Sequence, residues 1–338
     1  MLDQKRVKNL QLLEKKRVPK KVDYFFIVFM EYDEKNEKNE KNSYRRAINI
    51  SYILSYKMST RILFVNLANS QRDSDSGNSL FSRLPTIVKF IKSVNPDVIC
   101  FVEAGRPTRD HDGNLVSWVD MVSMLTNGTG LIQVCITRNN ETDMAFGISI
   151  FARPGLRIDW TSHCLCSDGF KTIAISFSIN HQTAIVTHLP VNPVQRMSAL
   201  RELLRIMHDD KISFAFGDFN SFPDGNGPEM MSLIEQSGFI EFLNVPGSFI
   251  PFPFDRIPQH PALIHRIDGD DGKCIPLSHL DHVFGLPSSD IVANILHPIS
   301  GKIMKDIVPM DLIREIMAAH AQDLTMAVSD HFPLLIEV

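Results

Sequence analysis

From Arg61 onward the chain is a succession of short apolar runs: RILFVNL, DVICFVEA, LIQVCITR, FGISIFAR, TIAISFSI, TAIVTHL, ISFAFGDF, HLDHVFGL and FPLLIEV. No other feature constrains the fold as strongly. Many runs are apolar at both alternating positions, so their strands need cover on at least one face and often on two. Between them, RLPTIVKFIKSVN and NPVQRMSALRELLRIMHDD place apolar residues three and four apart, the spacing of an amphipathic helix. Strands alternate with helices in some stretches and follow one another directly in others. That mixture predicts an α/β fold of two packed mixed sheets with helices outside, not a simple doubly wound sheet.

The first 57 residues do not share this pattern. They carry 14 Lys and Arg against 8 Asp and Glu, whereas residues 58–338 carry 21 against 31. The repeat EKNEKNEKN at 34–42 has no apolar face and cannot offset chain entropy by burial. Residues 1–57 are therefore expected to be a basic, disordered tail and residues 58–338 the folded domain, with Met58 a candidate natural start. The apolar stretch VDYFFIVFM at 22–30 is too short to span a bilayer, and no small-residue cleavage site follows it. An intracellular location, cytoplasmic or nuclear, is the expectation. Five scattered cysteines read as reduced thiols, Cys164 and Cys166 as neighbouring strand positions. An acidic body disfavours a broad, sequence-independent grip on duplex DNA. The Pro- and His-rich stretch from Gly247 to Ser278, with the aromatic FIPFPF at 249–254, reads as a substrate-side insertion.

Polar residues fall where these strands end. Asn66 interrupts ILFVNLA, Glu103 ends DVICFVE, and His188 ends AIVTHL. Asp218 and Asn220 end FAFGDFN, Asp281 sits in LDHVFG, and Asp330 and His331 precede FPLLIEV. Taken singly, each has an ordinary structural reading: a turn former, a backbone hydrogen-bonder, a half-buried histidine or a helix cap. Six separate segments delivering carboxylates, amides and imidazoles to strand edges point instead to one site held still by the sheets. The oxygen donors suit Mg²⁺, with Mn²⁺ as a substitute, and no short His or Cys spacing indicates zinc. A cation with nearby His and Asn donors suits attack of water on a phosphoryl group.

On the stretches ILFVN, PDVICFVE, FGISIFAR, IVTHLP, FGDFNS, LDHVF and SDHFPL, taken in order over residues 61–338, the sequence resembles the endonuclease/exonuclease/phosphatase superfamily. Its members include deoxyribonuclease I-like nucleases, abasic-site endonucleases, poly(A) deadenylases, neutral sphingomyelinases and inositol polyphosphate 5-phosphatases. The resemblance implies a four-layer α/β/β/α sandwich with the site where the loops of the two sheets meet. It implies metal binding by Glu103, Asn66 and Asp330, and alignment or deprotonation of water by Asp218. Asn220 and His331 would contact phosphate, Asp281 would fix the tautomer of His331, and His188 would lie near the leaving oxygen. Ala68 departs from the acidic residue usual in abasic-site enzymes, and the inositol 5-phosphatase signature is missing. GDFNSFPD is similar to the poly(A) deadenylase motif, which favours nucleic acid as the phosphate-ester substrate. The alternatives are a phospholipid, a small-molecule phosphate ester, or a scaffold of the same fold without catalysis.

Overall fold

All nine apolar runs form strands in the computed structural model, which describes residues 59–67, 79–110, 112–137, 147–167, 170–179, 181–221, 226–243, 280–297, 300–304, 331 and 333–338. The tail with Met58, the stretch 247–278 and Asp330 lie outside the described residues. In chain order the elements are β1 (Arg61–Asn66), α1 (Leu80–Val94), β2 (Val98–Ala104), β3 (Thr108–Arg109), β4 (Leu115–Val116) and α2 (Trp118–Thr129). Next come β5 (Ile132–Thr137), β6 (Gly147–Ala152), β7 (Asp159–Ser167), β8 (Phe170–Ile179), β9 (Gln182–His188), α3 (Pro193–Asp209) and β10 (Phe214–Asp218). The remainder are α4 (Gly227–Gln236), β11 (Ile240–Glu241), β12 (Asp281–Gly285), β13 (Val292–Leu296), β14 (Ile303–Met304) and β15 (Leu334–Glu337).

Among the described residues the strands make two large sheets and a small ribbon, β3-β4. One sheet has the order β14-β13-β15-β1-β2-β6-β5, the other β11-β12-β10-β9-β8-β7. Each contains one parallel pair, β1 with β2 and β9 with β10, joined through α1 and α3 respectively. Parallel neighbours need such a crossover because both strands run the same way. Their C-terminal ends therefore lie side by side.

Strand alternation sorts the apolar residues into three layers of core. Phe64, Val98 and Cys100 of the first sheet meet Val186, Phe214 and Phe216 of the second. Phe216 packs edge to face on both Phe64 and Phe177, with ring centroids 5.9 and 6.2 Å apart. Burying each such ring stabilises the fold by about 1.5–3 kcal/mol. The intervening residues of the first sheet, Leu63 and Phe101 among them, pack under Leu84 and Ile87 of α1 and Met121 of α2. Those of the second, Ile185 and Ala215, pack under Leu200 and Leu203 of α3 and Ile234 of α4. Helices, sheet, sheet, helices: the architecture is the expected four-layer sandwich. No helix among the described residues is long and apolar enough to cross a membrane.

Candidate active site

The second sheet presents three polar side chains abreast. In the β-ladder His188 of β9 pairs with Asp218 of β10, and Asp218 pairs with Asp281 of β12. Laterally paired residues share a face, and the residues two positions inward, Val186, Phe216 and Val283, all lie between the sheets. The polar row thus continues the core to its edge. Gly217 makes the alignment feasible: its φ is +150°, and a Cβ there would stand 2.0 Å from the carbonyl oxygen of Thr187. Only glycine lets β9 and β10 approach so closely.

Past β10 the chain turns on Asn220, whose φ of 50° lies in the left-handed region that asparagine tolerates better than most residues. Its backbone N–H donates to Asp218 Oδ1 at 2.8 Å, and its side-chain Nδ2 donates to the carbonyl of Leu189 at 2.8 Å. The turn therefore orients the Asp218 carboxylate and clamps the segment that follows His188.

The first sheet supplies the opposite wall. Asn66, two residues past Phe64, donates from Nδ2 to Asp218 Oδ2 at 2.9 Å, a bond that crosses between the sheets. His331, just before β15, holds Asp281 Oδ2 at 2.8 Å through Nδ1. Its Nε2 lies 3.4 Å from Asn66 Nδ2 and 3.6 Å from Asp218 Oδ2. The Asp281 carboxylate accepts the N–H at Nδ1 and so orients the ring, which leaves Nε2 turned toward Asp218. His188 Nε2 approaches the same carboxylate oxygen at 3.4 Å. Burial pushes the Asp218 carboxyl above its ordinary range, and the Asp281 charge adds to this; the imidazoles of His331 and His188 and the Asn220 N–H act the other way.

Glu103 comes to this edge by a different device. Val98, Cys100 and Val102 point between the sheets while Ile99 and Phe101 point under the helices, but Ala104 also points under the helices. An extra residue is accommodated where the β2–β6 register slips between Phe101 and Ala104, and Glu103 takes it up at φ 55°. Such bulges re-aim side chains beside functional sites. Opposite the slip stands Gly147, where a Cβ would lie 2.2 Å from the carbonyl oxygen of Ala104. Asn66 pairs with Val102 in the ladder, so Glu103 stands one residue beyond the neighbour of Asn66.

Of the residues singled out from the sequence, Asn66, His188, Asp218, Asn220, Asp281 and His331 converge in one buried cluster. Glu103 is placed on the adjacent strand end, and Asp330 is outside the described residues. Two buried guanidinium groups support the rim: Arg83 of α1 donates to the carbonyl of Leu67, just after Asn66, and Arg196 of α3 to that of Val191, shortly after His188. Sequence reasoning missed both, and missed a chain of buried Ser221 and His282 with half-buried Glu241 behind the second sheet. Ser221 follows Asn220 and His282 follows Asp281, so adjacency to site residues was the one available signal.

No family model matches the sequence, and no curated protein matches it. Solved structures do. A functionally unknown conserved protein from Enterococcus faecalis V583 superposes with a TM-score of 0.54 at 16% identity, over 82% of this chain and 98% of that one. An endonuclease/exonuclease/phosphatase family protein from Bacteroides thetaiotaomicron gives 0.54 at 15% identity, over 83% and 97%. Another from Leptotrichia buccalis gives 0.50 at 14% identity, over 82% and 98%. At such identities the likeness is one of fold, and it coincides with a site built at the edge where two sheets meet. The chain has the fold of the endonuclease/exonuclease/phosphatase superfamily.

Proposed function

We propose that the protein is a Mg²⁺-dependent phosphoric ester hydrolase, a phosphodiesterase whose favoured substrate is nucleic acid. The observation that carries this reading is the buried chain of hydrogen bonds and close contacts from Asn66 through Asp218 and His331 to Asp281, drawn from both sheets. The family named for two bacterial proteins of the same fold is in keeping with it. Carboxylate and amide oxygens suit a hard divalent cation, Mg²⁺ or Mn²⁺. Glu103 and Asn66, with Asp330 next to His331 in sequence, would hold it; Asp218, Asp281 and His331 offer a second set of ligand atoms within 4.8 Å of one another. A bound cation would offset charge growing on the phosphate oxygens.

The side chains divide the remaining work. Asp218, made more basic by burial, takes a proton from the attacking water as the new P–O bond forms. His331, oriented and stabilised in its charged form by Asp281, holds a phosphate oxygen, with Asn66 and Asn220 as neutral donors. His188 faces the oxygen that leaves as the ester bond breaks. The role of Asp281 is that of the carboxylate behind the histidine in a hydrolase triad.

A second reading, a phospholipid headgroup as substrate, is favoured by the valines beside His188: Val191 is 60% and Val194 79% exposed. Three substrates side by side separate the readings: single-stranded RNA with a 3′ poly(A) run, nicked or abasic duplex DNA, and sphingomyelin vesicles, each with Mg²⁺ or EDTA. Cleavage of one substrate, abolished by EDTA, is expected, and Asp218→Ala and His331→Ala each lower turnover by about 10²–10⁴-fold without loss of fold by circular dichroism. Full activity in either variant refutes the site; silence of the wild type on all three refutes the phosphodiesterase.

A further inference from the structure

The polar row of the second sheet has a counterpart on the sheet's other face. Ser221 Oγ lies 2.5 Å from His282 Nε2, and His282 Nδ1 lies 2.9 Å from Glu241 Oε2. The second carboxylate oxygen of Glu241 accepts the backbone N–H groups of Val283 at 3.0 Å and Leu243 at 3.1 Å. With Glu241 fixed as an acceptor, Nδ1 of His282 carries the proton and Nε2 receives the hydroxyl of Ser221. Phe219 abuts the imidazole edge to face at 5.5 Å and also contacts Phe284, so His282 sits in apolar surroundings, while Glu241 is half-buried. A polar chain retained in such a place is costly unless every member is satisfied, and once satisfied it fixes its attachment points.

Those attachment points are the site. Ser221 is bonded through the backbone to Asn220, the left-handed residue that orients Asp218; His282 is bonded to Asp281, the partner of His331. The arrangement of serine, histidine and carboxylate resembles a nucleophilic triad, but Ser221 is 4% exposed and belongs to the face packed under the helices. It is not placed to attack a substrate. We propose that Ser221, His282 and Glu241 are positioning residues for phosphate-ester hydrolysis, a relay through the sheet that locks the Asn220 turn against the strand carrying Asp281. This deepens the proposed function and rests on it for its kinetic arm.

The test uses the full chain with Ser221→Ala, Ser221→Thr and Glu241→Gln, read by kcat and KM on the substrate the wild type cleaves and by hydrogen exchange of the Asn220 amide. Ser221→Ala is expected to lower kcat about tenfold with KM unchanged, the effect of losing one buried hydrogen bond, and to speed Asn220 exchange by a similar factor. Ser221→Thr keeps the hydroxyl and is expected to restore both. Glu241→Gln keeps the shape but removes the charge behind His282, and is expected to fall between. Wild-type kcat and exchange in Ser221→Ala overturn the proposal, as does a Ser221→Thr that fails as badly as Ser221→Ala. A wild type without phosphoesterase activity sinks the proposed function alone; the relay is then decided by Asn220 exchange, where no change in Ser221→Ala overturns it.

Discussion

Asp218 is 1% exposed and receives an Asn66 amide, an Asn220 N–H and two imidazole edges. Burial raises its pKa most, and the in-register Asp281 raises it further, while the imidazoles and the Asn220 N–H pull it down without reversing the direction. The base form is lost as pH falls through that raised value. The acidic limb of kcat/KM, which reports the free enzyme, is therefore expected above the ordinary aspartate value of about 3.9. A pH–rate profile measures it directly, and a limb at or below that value would contradict the role given to Asp218. The same single residue shows what the sequence could reveal. Asp218, like Asn66, His188, Asp281 and His331, is a polar residue where an apolar run ends, and an end-of-strand position is readable along one dimension. Ser221, His282 and Glu241 owe their meeting to β12 lying between β10 and β11. That order belongs to tertiary pairing, which no local pattern records.

At the scale of elements, close backbone approach matters as much as side-chain chemistry. Gly217 holds φ +150° with the Thr187 carbonyl 2.0 Å from where a Cβ would be. Gly217→Ala is expected to cost at least about 2 kcal/mol through backbone strain and forced separation of β9 from β10. Urea unfolding measures the stability, and an unchanged midpoint would show that the pair does not need this contact. The elements legible beforehand were those with dense apolar runs: nine strands and the helices α1 and α3. The strand β7, DWTSHCLCS, is an edge strand with few apolar residues, and it was visible only through the neighbouring positions Cys164 and Cys166. Helix α2 escaped because its apolar residues do not mark one face: Trp118, Met121 and Leu125 are buried, but Val119 is 71% exposed. Its start is set by a capping box between Ser117 and Asp120, a signal present in the sequence but modest beside apolar periodicity.

At the scale of the whole molecule, Thr60–Val338 forms one compact unit by its internal contacts, and both sheets, the helices over them and the clustered site residues belong to it. We propose that residues 58–338 are the catalytic domain. A chain starting at Met58 is expected to melt at the same temperature as the full chain and to keep its kcat; a fall in either would assign the first 57 residues a part in the domain itself. The two parallel pairs, each with its crossover helix, have one more consequence. Asn66 and Asp218 are 152 residues apart in sequence, and Asn66 and His331 are 265 apart. Contacts of such separation form late, because loop closure must be completed before they bring any gain. Neither half of the chain holds a working cluster on its own. Turnover should therefore return in the last phase of refolding, after secondary structure has recovered, and so serve as a clock for the docking of one sheet on the other.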